Sequence, residues 1–183
     1  MAPAGLRILG VDPGSLVTGY GVVERVRGTI VHVGHGTIRP PARAPLPERL
    51  ARIQRDLRAA VIDYAPDRAV VECVFVSVNA RSALVLGQAR GVILATLGEA
   101  ELPVDELAAR EVKQAVTGMG GADKGQVKAM VTRLLALDRP PAQDACDALA
   151  VAMCRAQRSR MPDRVRSRRT RTSLRCRPTG PIQ

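Results

Sequence analysis

Four acidic side chains occupy positions that call for a chemical explanation. Asp12 closes the apolar run Ile8-Leu9-Gly10-Val11, and Glu72 lies inside Val70-Val71-Glu72-Cys73-Val74. A carboxylate among apolar residues costs free energy unless a cation or donors compensate it. Asp144 and Asp147, three apart in QDACDALAVA, share one face of a helix near its start, where the dipole favours negative charge. If that helix packs beside the ends of the two strands, the four carboxylates converge. Such a set of hard oxygen donors suits Mg²⁺ or Mn²⁺ rather than zinc. Two ions about 3.5–4 Å apart can activate a water and stabilise the leaving oxygen in phosphodiester hydrolysis. Taken singly, Asp12 in Asp-Pro-Gly also suits a turn and Asp144 a helix N-cap. A Glu in mid-strand has no comparable structural use.

The other candidate ligands do not form a site. Cys73, Cys146, Cys154 and Cys176 contain no CxxC pair, and they read as reduced structural thiols. His32 and His35 lie three apart in VHVGHG, a spacing that aims them at opposite faces of a regular strand.

The elements that must position the acids follow from periodicity. LRILGVD, TGYGVVERV and TIVHVGHGTI alternate as strands, joined by the Gly-rich turns PGSLVTG and VRG, which predicts a three-stranded antiparallel meander. After a Pro-rich linker at 40–47, Leu50, Ile53, Leu57, Val61 and Tyr64 mark an amphipathic helix. RAVVECVFV reads as a strand, residues 80–100 as a helix and PVDEL as a short strand. REVKQAV, DKGQVKAMVTRLLAL and AQDACDALAVAMCRA read as helices. Hairpin strands followed by alternating strands and helices predict an α/β fold, a mixed sheet with helices on both faces.

Composition narrows the function classes. The 183 residues carry 28 Lys plus Arg against 17 Asp plus Glu, a net of +11, and 46% are apolar, as in a soluble globular protein. No run approaches the roughly 20 apolar residues of a membrane span, and no secretory signal opens the chain, so a cytoplasmic protein is expected. The charge is concentrated: Arg155 to Arg177 hold ten Arg and one acid, Asp163. We therefore expect a folded domain over 1–157 and, over 158–183, an Arg-rich tail that is disordered in isolation and binds polyanions without sequence preference.

Several blocks together resemble a known family. GVDPGSLVTGYGVVE, VVECVFVSVNARSALVLGQARG, VKQAV with ADKGQV, and DACDALAVA are similar, in order and spacing, to the RuvC family of Holliday-junction resolvases, over about residues 6 to 157. The resemblance implies a ribonuclease-H-like fold with a five-stranded sheet, a homodimer, and metal-dependent symmetric nicking of two like-polarity strands in four-way DNA junctions. It also implies the branch-migration proteins RuvA and RuvB as partners. Asp12, Glu72, Asp144 and Asp147 match its four acidic positions, with Mg²⁺ or substituting Mn²⁺ implied, two ions per site. Lys113 and Lys124 match lysines near the scissile phosphate, where an ammonium neutralises developing charge. Phe75 matches an aromatic that stacks on an unpaired base, although as the chain's only Phe it also suits a core. Arg81 and Arg90 are candidate phosphate contacts. The chain departs from the family pattern at DELAARE, which lacks a Tyr and a Pro, and at Cys146, which replaces a usual Ala. Two other readings fit parts of the pattern: a ribonuclease-H-like nuclease acting on RNA precursors, and a non-catalytic DNA-binding protein. A phosphate-binding protein gains nothing from clustered carboxylates, which argues against the second.

Overall fold

A computed structural model describes residues 5–73 and 79–158. Strands β1 (Leu6–Asp12), β2 (Thr18–Val26) and β3 (Thr29–Ile38) form the antiparallel meander expected from their alternation. Helix α1 (Leu46–Tyr64) starts with a proline in its first turn and buries Ile53, Leu57 and Ala60. Pro at that position lacks only an N–H that no helix carbonyl would have accepted. Strand β4 (Arg68–Cys73) then lies parallel to β1. Helix α2 (Ala80–Glu99) is capped by Asn79, whose Oδ1 accepts from the backbone of Arg81 at 3.0 Å and Ser82 at 3.4 Å. Strand β5 (Val104–Ala108) completes the sheet in the order β3-β2-β1-β4-β5.

Three helices follow. In α3 (Ala109–Thr117) the Glu111 side chain accepts from the Ala108 amide, and Gly118 closes the helix in the left-handed region at φ 78°, a conformation glycine reaches without a Cβ clash. Helix α4 (Lys124–Leu134) opens with a reciprocal cap between Asp123 and Gln126. Helix α5 (Gln143–Arg158) is lined with small residues, and Ala145, Cys146, Ala148, Leu149, Ala150, Val151 and Ala152 are all buried. It extends through Arg158, one residue past the expected domain end.

Alternation along the strands divides the core into two layers. Leu9, Val11, Val22, Ala69 and Val71 pack with α1 and α2, while Ile8, Val23, Val70 and Leu107 pack with α3, α4 and α5. In β1 and β4 this places Asp12 and Glu72 on the α5 face, because each lies two residues or four beyond a side chain on that face.

Glycine sets the distance between that face and α5. A Cβ on Gly10 would stand 2.1 Å from the Ala148 carbonyl oxygen, and one on Gly19 would stand 1.9 Å from that of Asp144. Gly19 pairs directly with Asp12 across β1 and β2. The helix backbone therefore rests on the strand backbone beside Asp12, with no side chain between them.

One expectation fails here. The β2–β3 register shifts between Val22 and Val23, so Val23 pairs with His32 and Gly21 with His35. The bulge adds one residue and turns both imidazoles to the same side, where His32 Nε2 and His35 Nδ1 lie 2.8 Å apart.

Replacing Gly19 by Ala should push α5 off the sheet and destabilise the fold by about 1–3 kcal/mol, a fall of roughly 2–12 °C in melting temperature for a chain of this size. Gly98→Ala, in α2 with nothing within 4 Å of an added Cβ, should leave the melting temperature unchanged or raise it slightly. Thermal melts followed by circular dichroism compare the two.

Candidate active site

The site forms at the C-terminal ends of β1 and β4. Val11 pairs with Val71 in the parallel register, so the next residues, Asp12 and Glu72, stand side by side and share a hydrogen bond. Asp144 and Asp147 arrive from the first turns of α5, held there by the close contact at Gly19. All four acids are half-buried.

Burial and mutual repulsion together raise the proton affinities of Asp12, Glu72 and Asp147. Burial, followed by the charges of Glu72, Asp147 and Asp144, pushes Asp12 up to about 8. Glu72 is raised by burial and by Asp147, against the lowering effects of the Asp12 hydrogen bond, Lys124 and Lys113. The shared hydrogen bond raises Asp12 and lowers Glu72. Asp147 is also raised by burial, while its hydrogen bond from Gln143 and the two lysines oppose the rise. Gln143 Nε2 lies 2.9 Å from Asp147 Oδ1. Sequence reasoning did not single out Gln143, although its i,i+4 spacing to Asp147 was available.

Both lysines face the acids. Lys113 lies on α3 and Lys124 is the first residue of α4, and each is close enough to lower both Glu72 and Asp147. The loop between them is tied at its start: Gln114 Nε2 donates to the Gly118 carbonyl at 2.7 Å, and the Met119 amide donates to Thr117 Oγ1 at 3.1 Å.

The donor chemistry fits a hard divalent cation. Among the described residues no group of three or more His, Cys, Asp or Glu side chains is placed to hold a metal ion by itself, and the four acids offer oxygen donors alone. Mg²⁺ is commonly held in this way, by one or two carboxylates with water and substrate phosphate completing the shell. Burial first, and then the neighbouring carboxylates, hold Asp12 at about 8, and a bound cation offsets both costs.

The remaining candidates are placed as follows. Arg81 is exposed in the first turn of α2. Arg90 is half-buried and its guanidinium pairs with Glu106 on β5, so its charge is already matched within the protein. Phe75 lies outside the described residues. Cys146 sits in the core under the helix, where burial pushes its thiol up to about 12 and leaves it unreactive.

With this geometry in hand, the chain can be set beside known proteins. The family model for crossover junction endodeoxyribonuclease RuvC matches residues 8–155. The crossover junction endodeoxyribonuclease RuvC of Neisseria meningitidis serogroup B is 52% identical over 157 residues, covering 85% of this chain and 88% of that protein. The protein of the same name from Syntrophotalea carbinolica is 50% identical over 151 residues, covering 82% and 94%. Among solved structures, T. thermophilus RuvC in complex with Holliday junction substrate superposes with a TM-score of 0.79 at 30% identity, over 85% of this chain and 95% of that one. A yeast mitochondrial Holliday junction resolvase shares the fold, with a TM-score of 0.59 at 12% identity over 85% and 81%. The strand order, the acids at the strand ends and this agreement over most of the chain establish that the protein belongs to the RuvC family of crossover junction endodeoxyribonucleases.

Proposed function

We propose that the chain is a Holliday-junction resolvase, a Mg²⁺-dependent endonuclease that nicks two like-polarity strands of a four-way junction symmetrically. The observation that carries this reading is the gathering of Asp12 and Glu72 from neighbouring strand ends with Asp144 and Asp147 from the start of α5, with Lys113 and Lys124 close enough to lower Glu72 and Asp147. The four acids would hold the metal, two Mg²⁺ or Mn²⁺ ions per site, which would supply an activated water and Lewis-acid stabilisation of the leaving oxygen. Gln143 fixes one oxygen of Asp147, leaving the other free to face the site. Lys113 and Lys124 draw the phosphate towards an otherwise repellent cluster and neutralise charge that builds on it.

Two equivalent cuts require two equivalent sites, which a two-fold homodimer supplies. Helix α2 divides accordingly: Ala89, Ile93, Thr96 and Leu97 are buried against the fold, while Leu84 in the N-terminal half is 71% exposed. We assign that half to the dimer contact. RuvA and RuvB are the proposed partners at the junction. No helix among the described residues is long and apolar enough to cross a membrane, and a cytoplasmic location is proposed.

Asp12→Asn, Glu72→Gln, Asp144→Asn and Asp147→Asn should each abolish cleavage of an end-labelled synthetic junction in Mg²⁺ while leaving junction affinity nearly intact. Cutting that persists in EDTA would overturn the metal mechanism. Because the folded Asp12 carboxyl is raised above its ordinary 3.8 to about 8, ionising it costs the metal-free protein stability. That cost is absent below pH 3.8 and grows as pH rises towards 8. Asp12→Asn should therefore raise the melting temperature in EDTA at pH 8 by at least about 2–4 °C, the shift per kcal/mol at this size.

Leu84→Glu should shift the protein from dimer to monomer in light scattering at micromolar concentration without loss of helicity. Truncation after Arg158 should weaken DNA affinity and flatten its salt dependence, since the removed arginines release fewer counterions. The preference for junction over duplex should be kept or increased.

A further inference from the structure

The turn that follows Asp12 is held more firmly than a solvent-exposed corner requires. Pro13 is buried, and a Cβ on Gly14 would stand 1.9 Å from the Val17 carbonyl oxygen, so the chain doubles back tightly. Thr18, fully buried, closes the turn from inside: its Oγ1 donates to the Gly14 carbonyl at 2.7 Å and accepts from the Gly14 amide at 3.4 Å. The other hold comes from a separate element. Arg49, in the first turn of α1, donates from Nη2 to the Ser15 carbonyl at 2.5 Å.

Arg49 is an uneconomical way to make one hydrogen bond. Its Nε is buried without an acceptor, and among the described residues it forms no ion pair. A buried N–H donor left unmet costs stability, and ordinary packing would be served as well by an aliphatic side chain. Arg90 Nε is likewise without an acceptor, but its guanidinium is held by Glu106, whereas Arg49 has no ion pair among the described residues to account for its placement. The bond it makes lies three residues from Asp12, on the segment that fixes where β1 ends.

We propose that Arg49 is a positioning residue for phosphodiester cleavage. By tethering the Ser15 carbonyl to α1, it fixes the turn and with it the aim of the Asp12 carboxylate towards the metal. This rests on the reading of the acid cluster as a metal-dependent nuclease site. Groups that orient metal ligands from behind typically change affinity or activity by about 10–100-fold when removed. The planar fork of Arg reaches a carbonyl at fixed orientation, whereas Lys offers a single mobile ammonium.

Arg49→Gln and Arg49→Lys would be compared with the wild-type chain in three measurements: Mn²⁺ affinity by calorimetry without DNA, junction affinity in EDTA, and single-turnover cleavage in Mg²⁺ with enzyme in excess. The expected result for Arg49→Gln is about 10-fold weaker Mn²⁺ binding and at least 10-fold slower cleavage, with junction affinity within two-fold of wild type. Arg49→Lys should recover part of both losses. Unchanged Mn²⁺ affinity would overturn the proposal, as would a cleavage loss matched by an equal loss of junction affinity, which would make Arg49 a DNA contact instead. If Arg49→Gln does not fold by circular dichroism, Arg49→Lys decides by the same criteria. A wild-type chain that cuts no junction would refute the nuclease reading, while the Mn²⁺ comparison would still decide the role of Arg49.

Discussion

The structure depends on a contact made by missing side chains. Gly10 and Gly19 let the backbone of α5 lie directly on β1 and β2, and no other residue type fits because the gap is already filled by helix carbonyls. The small residues of α5 answer them from the other side. That contact fixes Asp144 against the partner residue of Asp12, and hence the separation between carboxylates contributed by distant parts of the chain. Two strands and a helix thus act as one rigid mount, which a catalytic constellation needs if its geometry is to hold within a fraction of an ångström.

A cluster of acids on that mount works against folding, so the remainder of the fold must hold it closed. The two apolar layers supply most of the force. The far end of α5 is clamped separately: Asp105 on β5 accepts from Arg68 at 2.6 Å and Arg155 at 2.5 Å. Burial alone would raise that carboxyl, and the two guanidinium groups reverse the effect and hold it below its ordinary range. The helix is therefore anchored by matched charge where nothing reacts and strained by unmatched charge where chemistry is proposed, a division expected when stability is sacrificed locally for function.

Much of this was legible in the residues. Hydrophobic periodicity located the five strands and five helices of the described residues, because each has a face committed to one core layer. Asp12 and Glu72 stood out because acids in apolar strands are rare without a purpose. What escaped was information carried by three-dimensional register. Gly19 reads as the end of the turn PGSLVTG and Gly10 as one more residue of an apolar strand, since nothing in one sequence says which helix will press against them. His32 and His35 were assigned to opposite faces because a bulge has no reliable local signature. Arg90 looked like a free cation because Glu106, its partner, is sixteen residues away, and Arg49 lay unnoticed in a helix rich in arginine.

Helix α5 also has a direction. It begins beside Asp12 with Asp144 and ends fourteen residues later at Arg158, which at 1.5 Å per residue is a span of about 21 Å. The helix thus keeps its two signs of charge apart along one axis, with the acids at the end where its dipole is positive and Arg155 and Arg158 at the end where it is negative.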